Sequence, residues 1–262
     1  MGRYETLFAR ERGVFGAFVM LGDPDIEASA AILNELVEAG ADMIEVGIPF
    51  SDPIADGPVI QAAAARALAA GTRPADCFAL LGDFRADHPA VPVGILTYAN
   101  LVMARGRDHF YARAAEAGVD SVLVADVPIF EAPPFAASAR VHGIDPVLIA
   151  AANTPPWRLD AIAALGAGYT YCVARAGVTG AGEAVRFDHE DMLARLRAAG
   201  APPPVFGFGI SKPDHVRAAL AAGAAGAISG SAIVERIAAG QPIEAFVREM
   251  KAATLCCAAA IG

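Results

Sequence analysis

A carboxylate set in an otherwise apolar run is the first feature of this sequence that asks for a chemical explanation. In IEVGIPFSDPIADGP, Glu45 interrupts a β-rich segment near its C-terminal end, and Asp52 and Asp56 follow in a loop punctuated by proline and glycine. Burying a carboxylate is costly unless it is paired or used, and burial raises its pKa because water no longer stabilises the charge. Glu45 is therefore a candidate general acid or base tuned toward neutral pH. The alternative is a structural carboxylate bonded to nearby backbone or hydroxyl groups. Asp56 precedes a glycine, which is ordinary turn chemistry, so its residue type alone favours a structural role.

A second set lies late in the chain: RAGVTGAGE, FGFGIS and GAISGSAIV, with Gly207, Gly209, Gly230 and Ser231 at strand ends or entering a helix. Backbone N–H groups and the positive end of a helix hold phosphate without a lysine. That suits a chain with a formal net charge of −9, which argues against a nucleic-acid surface. Lys212, beside this region, is expected to matter less than the glycines. Between the two sets, Phe18, Leu96, Tyr98, Leu123, Ala125, Tyr171 and Phe208 can floor a flat apolar pocket, although each taken singly also reads as core. The His, Cys, Asp and Glu spacings suit no metal, so a metal-free site is expected. His88, His109, His142, His189 and His215 fall on helices, helix ends or connections, where surface roles are the default.

Such residues need a frame that brings distant strand ends together. Eight apolar, β-rich runs alternate with alanine-rich helical stretches: 14–21, 43–49, 91–98, 121–128, 145–151, 169–174, 205–210 and 225–231 as strands. Helices are expected at about 25–40, 58–70, 108–117, 130–142, 155–165, 188–199, 212–222 and 232–258, the last broken near Gly240 and Pro242. Ala39-Gly40, Ala117-Gly118 and Ala222-Gly223 supply the glycine that closes a helix in the left-handed conformation. The pattern is that of repeated βα units on a parallel sheet. An open doubly wound sheet is the alternative; eight units without a dinucleotide glycine fingerprint favour closure. The expected fold is an α/β (β/α)8 TIM barrel, a single domain over residues 1–262, with an extra N-terminal helix and a short phosphate-site helix after strand eight. In such barrels the active site lies at the C-terminal ends of the strands, where both residue sets fall.

Apolar residues make up 55% of the 262, yet no run approaches the roughly 20 residues of a membrane helix. The N-terminus MGRYETLFARERGVF lacks the apolar core of a signal peptide, so a cytoplasmic protein is expected. Cys77, Cys172, Cys256 and Cys257 fit neither zinc nor redox spacing, and free thiols are expected.

The segments AFVMLGDPD, IEVGIPFSDPIADGPVIQ, GILTYANLV, GVDSVLVADVP, GYTYCVARAGVTG, GFGISKP and GAAGAISGSAIV together resemble the tryptophan synthase α family over nearly the whole chain. The resemblance implies a lyase that splits indole-3-glycerol phosphate into indole and glyceraldehyde 3-phosphate. By it, Glu45 is the acid/base that protonates indole C3 and helps remove the side-chain hydroxyl proton, and Asp56 accepts the indole N–H. Phosphate contacts fall on Gly180, Gly209, Gly230 and Ser231, and the indole pocket on Phe18, Leu96, Tyr98, Leu123, Ala125, Tyr171 and Phe208. Thr179 corresponds to a closure residue in a lid at 175–188. The resemblance also implies an α2β2 assembly with a β subunit carrying pyridoxal phosphate, which receives indole through a tunnel. Loops around 49–57 and 175–189 would communicate across that interface, and the α chain itself needs no cofactor. This chain departs from the family at Met20, where a hydroxyl residue is usual, at Ala151-Ala152, where prolines are usual, and at Ala174, where serine is common. Rival functions are another phosphate-binding barrel isomerase, or a partner-activating subunit with weak lyase activity.

Overall fold

The computed structural model describes residues 2–10, 13–173 and 189–255. Its strands are β1 (Val14–Met20), β2 (Met43–Gly47), β3 (Val93–Thr97), β4 (Ser121–Val124), β5 (Asp145–Pro146), β6 (Leu148–Ala151), β7 (Thr170–Val173), β8 (Pro204–Gly207) and β9 (Gly226–Ser229). Every pairing is parallel, in the order β5-β4-β3-β2-β1-β9-β8-β7-β6. The fifth expected strand is thus two segments. Its first half pairs with β4 and its second with β7, which carries the sheet round as a barrel. Pro146, at the break, has no N–H to give a ladder, while the Val147 N–H reaches the Val122 carbonyl at 3.1 Å.

Parallel strands buried on both faces read as continuous apolar runs, and alternate residues serve two different cores. On β1, Phe15, Ala17 and Val19 join the layer between strands and helices, whereas Val14, Phe18 and Met20 join a second cluster inside the barrel. Glycines make room for the large inward side chains. A Cβ on Gly207 would lie 2.0 Å from the Tyr171 hydroxyl, and one on Gly47 2.7 Å from the Met20 methyl.

The helices are α1 (Arg3–Phe8), α2 (Ile26–Glu38), α3 (Pro58–Ala69), α4 (Pro74–Asp87), α5 (Ala99–Met103), α6 (Arg107–Glu116), α7 (Pro133–Val141), α8 (Pro156–Leu165), α9 (Glu190–Ala198), α10 (Pro213–Ala221), α11 (Ser231–Ala238) and α12 (Glu244–Ala252). α1 is the extra N-terminal helix, and its Tyr4 and Leu7 belong to the inner cluster. α11 is the short helix after the last barrel strand, and Gly240, with φ +62°, separates it from α12. Gly40, Gly118 and Gly223 take the left-handed conformation with φ +104°, +73° and +97°, as their helix-closing role requires. Two helices were not anticipated. α4 starts on Pro74, with the Arg73 N–H donating to Asp76 Oδ2 at 2.9 Å, and buries Cys77, Phe78, Leu81 and Phe84 on one face. The five-residue α5 follows β3 directly.

Candidate active site

Glu45 points into the barrel from β2, in register with Phe18 of β1 and Gly94 of β3. It is 1% exposed. Its Oε1 accepts a hydrogen bond from the Tyr169 hydroxyl at 2.5 Å, while Oε2, equally buried, has no hydrogen-bond partner among the described residues. Burial pushes the Glu45 carboxyl up to about 7; the Tyr169 hydrogen bond offsets part of that rise, and the nearby charge of Asp56 adds to it. Tyr169 is held in turn. Its ring lies 5.4 Å from that of Tyr4, whose hydroxyl is 2.9 Å from Ser121 Oγ. Gly94 leaves space for these hydroxyls, since a Cβ there would come within 2.7 Å of Ser121 Oγ and 3.1 Å of the Tyr4 hydroxyl.

Asp56 lies in the loop between β2 and α3 and is also buried. Burial raises its pKa, and a hydrogen bond from Tyr98 pulls it back. The same Tyr98 oxygen accepts the Ala55 N–H at 3.2 Å, and Gln61 Nε2 donates to the Asp56 carbonyl at 2.9 Å. The loop is therefore held by the residue that follows β3. Tyr98 is more than a wall of an apolar pocket: its hydroxyl anchors the loop that carries Asp56 and favours that carboxylate's charged form.

Of the remaining pocket residues, Phe18, Leu96, Leu123, Ala125, Tyr171 and Phe208 all belong to the inner cluster. Leu96 and Leu123 are register partners, and Tyr171 meets Phe208 edge to face at 5.8 Å. That contact falls on Phe208 where it takes φ +59°, a conformation costly for a residue with a Cβ, next to Gly209 at +78°. Gly230 caps α11, and its carbonyl accepts from Ile233 and Val234 at 2.9 and 3.0 Å; the preceding N–H groups at a helix start have no intrahelical acceptor. Gly209 and Ser231 are exposed and Gly230 partly so. Ser229 ties the two glycine segments together by donating Oγ–H to the Ile210 carbonyl at 2.7 Å.

Thr179, Gly180, Ala174, the 175–188 lid and Cys256 and Cys257 lie outside the described residues. Cys77 and Cys172 are free and buried. Met20 joins the inner cluster beside Gly47; Ala151 ends β6 with its N–H on Thr154 Oγ1 at 2.9 Å, and Ala152 is exposed. His189 departs from the surface position expected of it. It is 3% exposed, with Nε2 3.0 Å from the Val173 carbonyl and its ring 4.9 Å from Phe206. It sits where α9 packs back on β7 and β8, a tertiary contact with no local signature. Tyr169 is the residue that sequence reading missed: it stands just before β7, 124 positions from its partner Glu45. Among the described residues no His, Cys, Asp and Glu side chains gather as a metal ion would require, and no helix is long and apolar enough to cross a membrane.

A ring of parallel βα units with buried carboxylates toward the C-terminal ends of its strands is a (β/α)8-barrel enzyme. The family model for the tryptophan synthase alpha chain matches residues 4–260. The tryptophan synthase alpha chains of Shewanella amazonensis and Escherichia fergusonii are each 53% identical, over 97% of this chain and 100% and 99% of theirs. Among solved structures, tryptophan synthase subunit alpha from Legionella pneumophila superposes with a TM-score of 0.86 at 28% identity, covering 97% of this chain and 98% of that one. A chain of the tryptophan synthase α2β2 complex from Pyrococcus furiosus does so with 0.83 at 38%, covering 94% and 98%. The chain belongs to the tryptophan synthase alpha chain family.

Proposed function

We propose that this barrel, acting as one domain over the whole chain, cleaves indole-3-glycerol phosphate into indole and glyceraldehyde 3-phosphate with Glu45 as its acid/base. The observation that carries the assignment is the state of Glu45: buried, near pKa 7, fixed through one oxygen by Tyr169, with the other oxygen unpartnered among the described residues. A carboxylic acid neutral near physiological pH can give its proton to indole C3, leaving positive charge on the ring nitrogen. Asp56, whose charged form Tyr98 favours, accepts the indole N–H and stabilises that charge. The resulting Glu45 carboxylate then helps take the proton of the side-chain hydroxyl. As it leaves, the bond to C3 breaks, its electron pair returns to the ring, and the aldehyde forms.

Phe18, Leu96, Leu123, Ala125, Tyr171 and Phe208 fit the apolar ring, and the amides near Gly209, Gly230 and Ser231 suit the phosphate. Gly180 and Thr179 keep their proposed roles in phosphate binding and closure by resemblance alone. The chain works in the cytoplasm as the α subunit of an α2β2 assembly, with pyridoxal phosphate in the β partner that receives indole. The test is indole release from indole-3-glycerol phosphate by the isolated chain, with and without a β subunit. Release abolished by Glu45→Gln supports the reading. No release from the parent in either setting defeats it.

A further inference from the structure

The segment Phe208–Ser211 is held by side chains from three different elements. Tyr171 of β7 packs its ring against that of Phe208 at 5.8 Å, Ser229 of β9 donates to the Ile210 carbonyl at 2.7 Å, and His215 of α10 places Nδ1 3.0 Å from the Gly209 carbonyl and 3.2 Å from the Ser211 N–H. Tyr171 and Ser229 are buried, Tyr171 inside the barrel and Ser229 on the face of β9 turned toward the helices. His215 lies partly exposed in the first turn of α10 and holds the loop from outside. One nitrogen serves only one of its two neighbours at a time: without a proton Nδ1 accepts from Ser211, and with one it donates to Gly209.

We propose that His215 is a positioning residue of the phosphate site, a latch that fixes the Gly209–Ser211 backbone so that its amide donors are set before phosphate arrives. This rests on the reading of Gly209 as a phosphate contact. A backbone with two successive left-handed residues, Phe208 and Gly209, has a competing relaxed arrangement whenever its ties are cut. Donors that must be ordered at the moment of binding cost affinity, whereas donors held beforehand do not. The latch therefore acts on phosphate affinity and leaves the proton transfers at Glu45 alone.

The test is calorimetric titration of the full chain with glycerol 3-phosphate, joined to steady-state indole release. His215→Ala is expected to weaken glycerol 3-phosphate binding by about fivefold, the scale of one hydrogen bond. It should raise KM for indole-3-glycerol phosphate by the same factor, with kcat and Tm little changed. His215→Asn, whose side-chain amide reaches the place of Nδ1 with both a donor and an acceptor, should restore binding to within about twofold. An alanine variant that binds as the parent does, loses kcat instead of affinity, or is not rescued by asparagine overturns the latch. A parent chain that fails to bind glycerol 3-phosphate overturns the phosphate reading itself, and the latch with it.

Discussion

Two carboxylates at opposite ends of this barrel are treated in opposite ways. At the N-terminal end, Asp120 accepts Arg3 at 2.8 Å, Arg85 at 2.7 Å and the Val93 N–H at 2.8 Å. Arg85 also binds the carbonyls of Gly118 and Val91, at 2.9 and 2.7 Å. Toward the C-terminal end one oxygen of Glu45 has no hydrogen-bond partner among the described residues, and the charge of Asp56 raises its pKa further. The contrast is local, because Asp23 in the loop after β1 has a bidentate partner in Arg66 at 2.8 and 2.7 Å. A fold able to pair its charges leaves one unpaired only where something other than stability is served. Asp120 helps hold the barrel together, and Glu45 holds a proton ready.

Breaking the paired end has the largest expected effect. Asp120→Ala takes the carboxylate from Arg3, Arg85 and the Val93 N–H, and should cost about 3 kcal/mol of unfolding free energy, read by denaturant titration. Indole release per folded molecule should be kept. A stability loss below about 1 kcal/mol would show that this network is peripheral.

Glu45→Gln inverts that pattern. Indole release should fall at least about 100-fold, and stability should respond with a definite sign. The folded-state pKa of Glu45 lies above its ordinary 4.5, so its contribution to stability is fully present below about 4.5 and is lost as pH rises through about 7. The glutamine variant should thus gain on the parent across that window, by up to about 3 kcal/mol above pH 7. A difference flat with pH means that Glu45 does not titrate in this range. In the parent, kcat/KM should decline as pH rises past about 7, because the acid form gives the first proton.

Asp56→Asn should lower kcat by about tenfold or more with a smaller change in KM, since the anion is needed when positive charge appears on the ring nitrogen. A change in KM alone would return Asp56 to the turn role its sequence context suggests. The smallest effect sharpens the comparison further. Thr97, at the upper end of β3, buries a hydroxyl with no hydrogen-bond partner among the described residues. Thr97→Val should stabilise the protein by up to about 1 kcal/mol with turnover unchanged. Destabilisation by a similar amount would reveal a partner for that hydroxyl.

Much of this was legible in order along the chain. Glu45 stands out because an ionisable residue breaks an apolar run, and the AG pairs and the break at Gly240 follow from the conformational freedom of glycine. The stripe Cys77, Phe78, Leu81 and Phe84 behind Pro74 carried α4 too, although it passed for part of a connection. Glycines could be placed at strand ends without showing what they accommodate, such as the Tyr171 hydroxyl over Gly207.

What the sequence by itself determined is the alternation of βα units, because periodicity and turn chemistry act over a few residues; it favoured closure as a barrel without fixing it. Only the tertiary structure decided what stands beside what: Tyr169 on Glu45, Tyr98 on Asp56, His189 beneath β7, and the division of the fifth strand between β4 and β7. The physical reason is separation. Tyr169 and Glu45 are 124 positions apart, and the pKa of a carboxylate depends on how much water the whole barrel excludes and on which hydroxyl its closure brings within reach.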